Sequence, residues 1–246
     1  GTFNSGLGEA SAEIVAHDPL SQRLFVTNAE ARTVDILDIA DPKHPTKVGS
    51  IDVSFINGVE TGGPNSAAVG KGIIAVAIEG KTVTDPGLVA FYNKDGQLLG
   101  SVAVGSLPDM LVFTADGKKL LVANEGEAAN GVDPKGSVSI IDLSAGVAAA
   151  TVKTADFTGF DAKQALLEAK GLRIFDGKIL SNDVEPEYIA IAPDGKKAFI
   201  TLQEANAVAV LDMKTGSIVE IQPLGFKDHS KPGNGLDASD KDGIDI

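Results

Sequence analysis

The sequence predicts an all-β protein: a β-propeller of about four blades, each with four antiparallel strands, that forms part of a larger propeller. Three observations predict this fold. A segment recurs along the 246-residue chain at intervals of roughly 45 to 50 residues, the size of a propeller blade. Each copy divides into short apolar runs rich in β-branched residues, and tight-turn sequences such as Asp-Gly-Lys separate those runs.

The repeat is clearest between the first and the last copies. Residues 24–38 and 198–212 align without a gap, and seven positions carry the same residue: Phe, Thr, Glu, Ala, Val, Leu and Asp. A third copy begins at residue 120 and a weaker one at residue 73. A β-sandwich with coincidental likeness between strands is the alternative, but an ungapped match of this length favours repeated blades.

The strands follow from the apolar runs on either side of the turns. Asp-Gly between such runs indicates a hairpin, because glycine accepts the positive φ that these turns need. In the third copy, strands are predicted at residues 110–114, 120–123 and 137–142, with a weak fourth strand after them. In the last copy, strands are predicted at residues 188–192, 198–202, 207–212 and 218–221.

Residues 147–182 form an insertion of a different kind between the third and fourth blades. Helix formers dominate residues 161–170, with Asp161 as a candidate N-cap and Gly171 as a candidate C-terminal stop. We therefore expect one short helix in the insertion. No linker or low-complexity segment divides the chain, so residues 1–246 are expected to form a single, incomplete propeller domain.

The composition restricts the classes of function. The chain has 34 acidic and 21 basic residues, and the resulting formal charge of −13 repels nucleic acids and anionic membrane surfaces. Hydrophobic residues make up 43%, enough for a core, yet no apolar run reaches the about 18 residues that a membrane span needs. Cysteine is absent, which excludes disulfides and thiolate chemistry. The charge favours a cationic partner or metal ions.

Propeller topology brings two classes of residue to one end of the blades, here called the acid face. They open the inner strand of each blade or follow its second strand, because the second strand runs back to where the first began. An acid or amide opens the inner strand at Glu13, Asn65, Asp109 and Glu187. A glutamate follows the second strand at Glu30, Glu79, Glu125 and Glu204. Further oxygen donors stand beside them at Asn28, Asn124, Glu127, Glu185 and Gln203.

Carboxylates gathered around one axis repel each other, and a hard cation relieves that repulsion. Ca²⁺ binds about six to eight oxygen ligands of this kind. The strand-opening and strand-following residues therefore predict a calcium site at the channel mouth, with Mg²⁺ as the second choice of ion. The alternative is a solvated rim, in which the acidic side chains face water or cap loop backbones.

A second acidic cluster lies at residues 237–245. It partly matches the Asp-x-Asp-x-Asp-Gly calcium loop: Asp240, Asp242 and Gly243 fit the later positions, but Ala238 occupies the position of the first ligand. The partial match leaves two interpretations open, a second calcium loop or an ordinary polar loop.

Motifs for covalent catalysis are absent. No Gly-x-Ser-x-Gly elbow, His-Glu-x-x-His sequence or phosphate-binding glycine loop occurs. The Gly- and Pro-rich segment 225–235 carries Lys227 and His229, and the topology places it on the acid face. These two side chains could contact a phosphate that a metal ion bridges to the carboxylates, or the segment could be a simple connector.

Several strings in the chain resemble known proteins. Residues 25–28, Phe-Val-Thr-Asn, resemble the YVTN-type surface propeller repeat. Four further strings are similar to the bacterial choice-of-anchor I family: residues 12–16, residues 107–110 with 123–127, residues 185–190, and residues 223–230 with 233–240. The resemblance covers nearly the whole chain. It implies a secreted protein, extracellular, at the cell surface or periplasmic, and some similar proteins are labelled alkaline-phosphatase-like. Similar proteins also continue into further blades.

Two functions are consistent with these observations. The first is a secreted or cell-surface binding module whose acid face holds calcium and contacts an unidentified ligand or surface partner. The alternative is a calcium-dependent phosphoesterase with Asp109, Glu125, Glu187 and Glu204 as metal ligands, in which the metal activates water and no protein nucleophile is needed. In either case we expect the four copies to form an arc completed by missing sequence or another chain, because exposed blade edges promote aggregation.

Overall fold

The computed structural model describes residues 1–8 and 11–237. Within them the chain forms four four-stranded antiparallel sheets and one two-stranded hairpin. Each four-stranded sheet, here called a blade, uses four strands that are consecutive along the chain and hydrogen-bonded in that order. The prediction of four blades with four antiparallel strands each is therefore confirmed.

Blades 1 and 2 occupy the first part of the chain. Blade 1 contains β1 (Val15–Asp18), β2 (Arg23–Asn28), β3 (Thr33–Asp38) and β4 (Thr46–Asp52). A hairpin of β5 (Phe55–Ile56) and β6 (Val59–Glu60) leads from blade 1 to blade 2. Blade 2 contains β7 (Pro64–Gly70), β8 (Ile73–Ile78), β9 (Pro86–Tyr92) and β10 (Leu98–Ser106).

Blades 3 and 4 carry the strongest repeat. Blade 3 contains β11 (Pro108–Phe113), β12 (Lys119–Asn124), β13 (Ser137–Asp142) and β14 (Thr151–Asp156). Blade 4 contains β15 (Pro186–Ile191), β16 (Lys197–Leu202), β17 (Ala207–Asp212) and β18 (Ser217–Pro223). The inner strands begin earlier than predicted, because the opening prolines already pair with the last residues of β12 and β16.

The Asp-Gly-Lys turns form the predicted hairpins between the first and second strands of blades 3 and 4. A carboxylate oxygen of Asp116 accepts a hydrogen bond from the backbone N–H of Lys118 at 3.1 Å, and Asp194 accepts one from Lys196 at 3.0 Å. Gly117 adopts a φ of +70°, which a residue with a side chain rarely adopts. The aspartate and the glycine thus fix the turn together.

The hydrophobic core lies between successive blades. Phe25 of blade 1 and Ile74 of blade 2 belong to one buried cluster, and Phe91 of blade 2 and Leu120 of blade 3 belong to the next. A third cluster joins Leu121 of blade 3 to blade 4. Leu120 and Leu121 serve different interfaces because successive residues of a strand face opposite sides of the sheet. The inner strands contact each other in the order β1, β7, β11 and β15.

The segment between β14 and β15 contains two short α-helices in place of the one helix predicted at residues 161–170. They are α1 (Gln164–Glu168), after a 3-10 turn at Thr158–Lys163, and α2 (Leu180–Asp183). The predicted insertion at residues 147–182 begins too early, because Thr151–Asp156 pairs along its whole length with β13 as the fourth strand of blade 3. In the described part of the chain, no helix is long and apolar enough to cross a membrane.

Asp161 does not cap a helix as predicted. Its carboxylate accepts hydrogen bonds from the backbone N–H and the hydroxyl of Ser181, at 2.9 and 3.0 Å. Phe160, Leu167 and Leu180 bury their side chains in the same cluster as the blade 3–blade 4 interface. The insertion is therefore fixed to blades 3 and 4 directly before the chain enters β15.

Candidate functional site

The strand register places the openings of the inner strands beside the ends of the second strands. Pro108 pairs with Asn124 in blade 3, and Pro186 pairs with Leu202 in blade 4. Asp109 therefore lies next to the loop that begins with Glu125. In blades 3 and 4, the residues that open the inner strand and those that follow the second strand therefore lie at the same end of the blade, as predicted for the acid face.

A β-bulge follows the opening proline in blades 2, 3 and 4. In blade 3, Asp109 and Met110 lie opposite the single residue Ala123, and the same two-against-one arrangement occurs at Glu187 and Tyr188 in blade 4. In blade 2 the extra residue is Asn65. Bulges commonly redirect a side chain at functional sites. In all three blades the bulge contains the very acid or amide that the sequence singled out.

Blades 3 and 4 together form an electrostatically coupled group of carboxylates, here called the blade 3–4 acid cluster. Its members are Asp109, Glu125, Glu127, Glu185 and Glu187. Burial raises the pKa of Glu125 to about 8, with further contributions from the negative charges of Asp109, Glu187, Glu185 and Glu127. Burial also raises the pKa of Glu185 to about 7, and the charges of Glu204 and Glu127 add to the rise.

Four members of this cluster are half-buried: Asp109, Glu125, Glu185 and Glu187. Burial raises the pKa of Asp109, and it raises that of Glu187 with help from the charges of Asp109 and Glu204. Among the described residues, no hydrogen bond or ion pair involves any of these four carboxylates. Half-buried like charges without a partner are costly, because burial penalises the charged form.

Glu204, another predicted ligand, already has a cation beside it. The guanidinium of Arg173 lies 3.5 Å from the Glu204 carboxylate, and its Nε donates a hydrogen bond to the Glu204 backbone oxygen at 2.6 Å. Both side chains are about half exposed. Glu204 therefore contributes negative charge to the surroundings of Glu185 and Glu187 from the edge of the cluster.

The predicted residues of blades 1 and 2 do not join this cluster. Asn65 hydrogen-bonds to Glu79, and its Nδ2 also donates to the backbone oxygen of Pro108 at 3.1 Å. The pKa of Glu79 is raised overall: burial raises it, and the hydrogen bond from Asn65 offsets part of that rise. Glu13 and Glu30 are exposed on blade 1, and no hydrogen bond or ion pair in the described chain involves their carboxylates. Of the eight predicted ligands, those of blades 3 and 4 thus lie in the acid cluster or at its edge, and those of blades 1 and 2 lie outside it.

The neighbouring asparagines, Asn28 and Asn124, are buried and form hydrogen bonds within their own blades. Asn28 accepts a hydrogen bond from the backbone N–H of Ala31 at 3.0 Å, which closes the loop after β2. Asn124 is fully buried and donates from Nδ2 to the hydroxyls of Ser137 and Ser139, at 3.2 and 3.0 Å. These contacts give the two asparagines a structural role. Sequence spacing could not separate them from the outward-facing acids.

Lys227 and His229 lie in an exposed segment after β18. His229 Nδ1 lies 2.6 Å from the backbone oxygen of Asn234, and Asp228 receives a hydrogen bond from Ser230. Within the described residues, neither Lys227 nor His229 contacts a carboxylate of the acid cluster. The predicted second calcium loop falls at residues 238–245, which lie outside the described part of the chain.

No three acidic or histidine side chains of the described residues are arranged as a ready-made metal site. The carboxylates of the blade 3–4 acid cluster nevertheless have the right chemistry for a hard cation, because they are oxygen donors without a competing partner. Glu127 and Glu185 are cluster members that the sequence interpretation placed only among the neighbouring oxygen donors, and Glu185 is the half-buried one of the two. Glu185 lies two residues after the end of α2 and directly before the opening proline of β15.

Four consecutive antiparallel blades with an acid face define the chain as a β-propeller domain. The chain belongs to the choice-of-anchor I family, whose model, described as "Choice-of-anchor I domain", matches residues 13–246. The resemblance recognised in the sequence is thereby confirmed. A comparison with curated protein sequences gave no match.

Solved structures with a propeller-like fold are similar to this chain. Hydrazine synthase from Kuenenia stuttgartiensis matches with a TM-score of 0.51 and 18% identity, covering 87% of this chain and 75% of that chain. A functionally unknown protein from Desulfotomaculum acetoxidans DSM 771 matches with a TM-score of 0.60 and 14% identity, covering 89% and 59%. The periplasmic gluconolactonase PpgL of Pseudomonas aeruginosa matches with 0.54 and 16%, covering 87% and 58%. This chain thus spans under two thirds of the length of the last two, and these similarities concern the fold alone.

Proposed function

We propose that this domain is a non-enzymatic, extracellular binding module whose blade 3–4 acid cluster binds calcium. Membership of the choice-of-anchor I family and the propeller fold make it a surface-associated β-propeller domain. The observation that carries the calcium proposal is the set of half-buried carboxylates Asp109, Glu125, Glu185 and Glu187, of which only Glu185 interacts with a nearby cation, Lys178, and none forms a direct hydrogen bond or ion pair in the described chain. A divalent cation offsets their mutual repulsion and takes oxygen donors of this type.

Calcium at this place would stabilise the loops of two neighbouring blades. Asp109 and Glu125 belong to blade 3, whereas Glu185 and Glu187 lie at the start of blade 4. The calcium-loaded face would then present a fixed surface to a ligand or partner. The flexible ligand geometry of calcium suits carboxylates that move together on binding, whereas Mg²⁺ requires a near-ideal octahedral arrangement.

The test is a calcium titration by calorimetry, combined with thermal unfolding at millimolar calcium. We expect heat of binding, a rise in melting temperature and a weaker response to Mg²⁺, because a ligand that binds only the folded state stabilises it. Glu187→Gln should reduce the affinity for calcium by about tenfold or more, since a charged ligand is lost. Glu30→Gln is the matched control, because Glu30 is an exposed glutamate of blade 1 that lies outside the cluster. Absence of heat and of a melting shift in the unmodified protein would refute calcium binding.

A calcium-dependent phosphoesterase at the same face is the alternative. It would use the cluster to hold the metal that activates water, with Lys227 or His229 near the phosphate. The binding module is favoured because Lys227 and His229 do not contact the cluster among the described residues. Hydrolysis of a chromogenic phosphomonoester that requires calcium, stops with a chelator and is lost in Glu187→Gln would favour the enzyme instead.

A further inference from the structure

An open pocket lies between the insertion and the segment that follows β18. Its volume is about 470 Å³, and its lining includes Glu168, Leu172, Arg173, Ile174, Asn206 and Phe226. We propose that this pocket, here called the Asn206 pocket, binds a sugar unit of an uncharged saccharide. The proposal rests on the role of the domain as a binding module proposed above, but it does not depend on calcium binding.

Asn206 connects the two walls of the pocket. It lies in the turn between β16 and β17, and its Nδ2 donates hydrogen bonds to the backbone oxygens of Gly171 and Gly225, at 2.9 and 2.8 Å. The two glycine backbones are in close contact, since a Cβ on Gly171 would lie 2.8 Å from the Cα of Gly225. These contacts fix the segment that carries Phe226 against the insertion, so the pocket has a defined shape.

The internal repeat supplies a comparison with blade 1, where Arg32 aligns with Asn206. Both residues have a left-handed backbone, with φ of +53° and +51°. Arg32 also connects neighbouring segments, because its Nη2 donates to the backbone oxygens of Ser54 and Thr61. The pocket beside Arg32 is lined by small, polar and charged residues. The connecting position is therefore shared, whereas the apolar lining distinguishes the blade 4 pocket.

Apolar side chains line part of the Asn206 pocket. Leu172 is buried in the cluster between blades 3 and 4, and Ile174 packs against that cluster. Phe226 is instead 82% exposed. An exposed aromatic ring beside such a pocket marks a ligand contact, because apolar surface gains free energy when a ligand removes it from water. A phenyl ring offers a flat surface on which the C–H face of a pyranose ring can pack.

Arg173 supplies hydrogen-bond donors in a fixed orientation. Its guanidinium carbon lies 4.8 Å from the centroid of the Phe175 ring, which is a cation–π contact. Its Nε donates a hydrogen bond to the backbone oxygen of Glu204 at 2.6 Å. Among the described residues, Nη1 of Arg173 donates to no acceptor. The guanidinium therefore keeps a donor group for a ligand.

Glu168 and Asn206 supply the acceptors. The Glu168 carboxylate accepts a hydrogen bond from Gln164 through Oε1, at 3.1 Å, which leaves Oε2 for a ligand. Oδ1 of Asn206 accepts no hydrogen bond within the described chain. Pockets that combine an apolar lining with a few polar groups bind small organic molecules, and their volumes are typically about 300 to 1,000 Å³. The Asn206 pocket falls within that range.

The charges around the pocket favour an uncharged ligand. Glu168 and Glu204 repel an anion, and Arg173 repels a cation. A hydroxyl group both donates and accepts hydrogen bonds. A neutral saccharide can therefore bond to the guanidinium and to the acceptors, while the C–H face of its ring packs on Phe226.

An oligosaccharide array tests the proposal with the purified protein. The array carries neutral, anionic and cationic oligosaccharides, and binding is measured in calcium and in excess chelator. We expect neutral oligosaccharides to bind in both conditions, because no group of the Asn206 pocket belongs to the blade 3–4 acid cluster. Calorimetry with the neutral probe that binds most strongly then compares variants.

Phe226→Ala and Asn206→Arg should each lower the affinity for that probe by about tenfold or more, because the first removes the exposed ring and the second places a long side chain in the pocket. Phe226→Ala replaces an exposed residue, so the fold is retained. Asn206→Arg introduces a residue that adopts the same backbone conformation at the equivalent Arg32. Phe55→Ala, at a phenylalanine that is 63% exposed in β5, is the matched control and should leave the affinity unchanged.

Absence of binding to neutral oligosaccharides in both conditions would overturn the proposal. A preference for charged oligosaccharides would also overturn it, as would an affinity that neither pocket variant lowers. The calcium site is judged separately. Heat of calcium binding without saccharide binding would refute the pocket alone, whereas saccharide binding in chelator that both variants weaken would support the pocket whatever the calcium result.

Discussion

At the scale of single residues, the threonine of the repeated Phe-x-Thr sequence has a defined role. Thr27 in blade 1 and Thr201 in blade 4 are equivalent positions in the repeat. Each hydroxyl oxygen accepts a hydrogen bond at 3.0 Å from a backbone N–H, that of Ile14 directly before β1 in blade 1 and that of Tyr188 in β15 of blade 4. In blade 4 this amide belongs to the bulge. The threonine therefore satisfies a donor that the strand pairing leaves free.

The two threonines form a matched pair for a stability measurement. Thr27 is 0% exposed, so Thr27→Val removes a buried acceptor from the Ile14 N–H and should lower the free energy of unfolding by about 1–2 kcal/mol. Thr201 is exposed, so water can replace its hydroxyl in Thr201→Val, and the loss should stay below about 0.5 kcal/mol. Chemical denaturation measures both. Equal losses would contradict the assigned role.

Glu125 makes stability depend on pH. Its pKa rises from 4.5 to about 8 in the folded protein, so the folded state keeps a proton that the unfolded state releases between these values. In calcium-free buffer, stability should therefore fall as the pH rises from about 5 to about 8. Glu125→Gln removes this penalty and should gain about 1–2 kcal/mol over the unmodified protein at pH 8, a value reduced for solvent screening of a half-exposed group.

Denaturation at pH 5 and pH 8 in the presence of a chelator measures this gain. Glu30→Gln is the control, because Glu30 is exposed and outside the cluster. A stabilisation by Glu125→Gln that is the same at both pH values would show that the carboxylate is not held in its protonated form by burial and by its acidic neighbours.

At the scale of elements, close packing positions the acid cluster at the junction of blades 3 and 4. Gly136, directly before β13, lies against the backbone oxygen of Val184 and the ring of Pro186. Gly87, within β9, has the same relation to Pro108 of the next blade. A glycine in the third strand region thus allows the opening proline of the following blade to approach. That proline directly precedes the acidic bulge residue.

Gly136→Ala should disturb this junction. The added Cβ would lie 2.7 Å from Pro186 Cδ, closer than real side chains pack, so the start of β15 must shift. We expect a loss of about 1–3 kcal/mol in the free energy of unfolding and weaker calcium binding, since Glu185 and Glu187 flank Pro186. Gly159→Ala is the control, because nothing lies within 4 Å of its added Cβ. Denaturation and calorimetry on both variants decide, and similar behaviour would contradict the packing argument.

At the scale of the whole molecule, the sequence predicted the blades and the convergence of some acids, but not which acids stay apart. The strands followed from apolar runs and Asp-Gly turns, which are local signals. The weak fourth strand of blade 3 was predicted without bounds, because the exposed Thr and Lys residues of Thr151–Asp156 give little apolar pattern. The convergence of Asp109, Glu125 and Glu187 followed from topology. The separation of Glu13 and Glu30 from them did not, because it depends on how far successive blades turn around the axis.

The net charge of −13 has a local component at the junction of blades 3 and 4. Five carboxylates of the acid cluster couple there, and Glu125 and Glu185 have pKa values of about 8 and about 7. At pH 7 Glu125 is therefore mostly protonated and Glu185 about half protonated, and a bound cation must displace these protons. Calcium binding at the cluster should therefore release protons into the buffer.

Calorimetric titration with calcium at pH 7, in two buffers with different ionisation enthalpies, measures whether calcium binding at the blade 3–4 acid cluster releases protons. The difference in apparent heat between the buffers gives the number of protons released. We expect about one proton to be released for each calcium bound, and fewer protons in Glu125→Gln, because metal ligands must be deprotonated. Calcium binding with the same heat in both buffers, unchanged by Glu125→Gln, would contradict a calcium site at the blade 3–4 acid cluster.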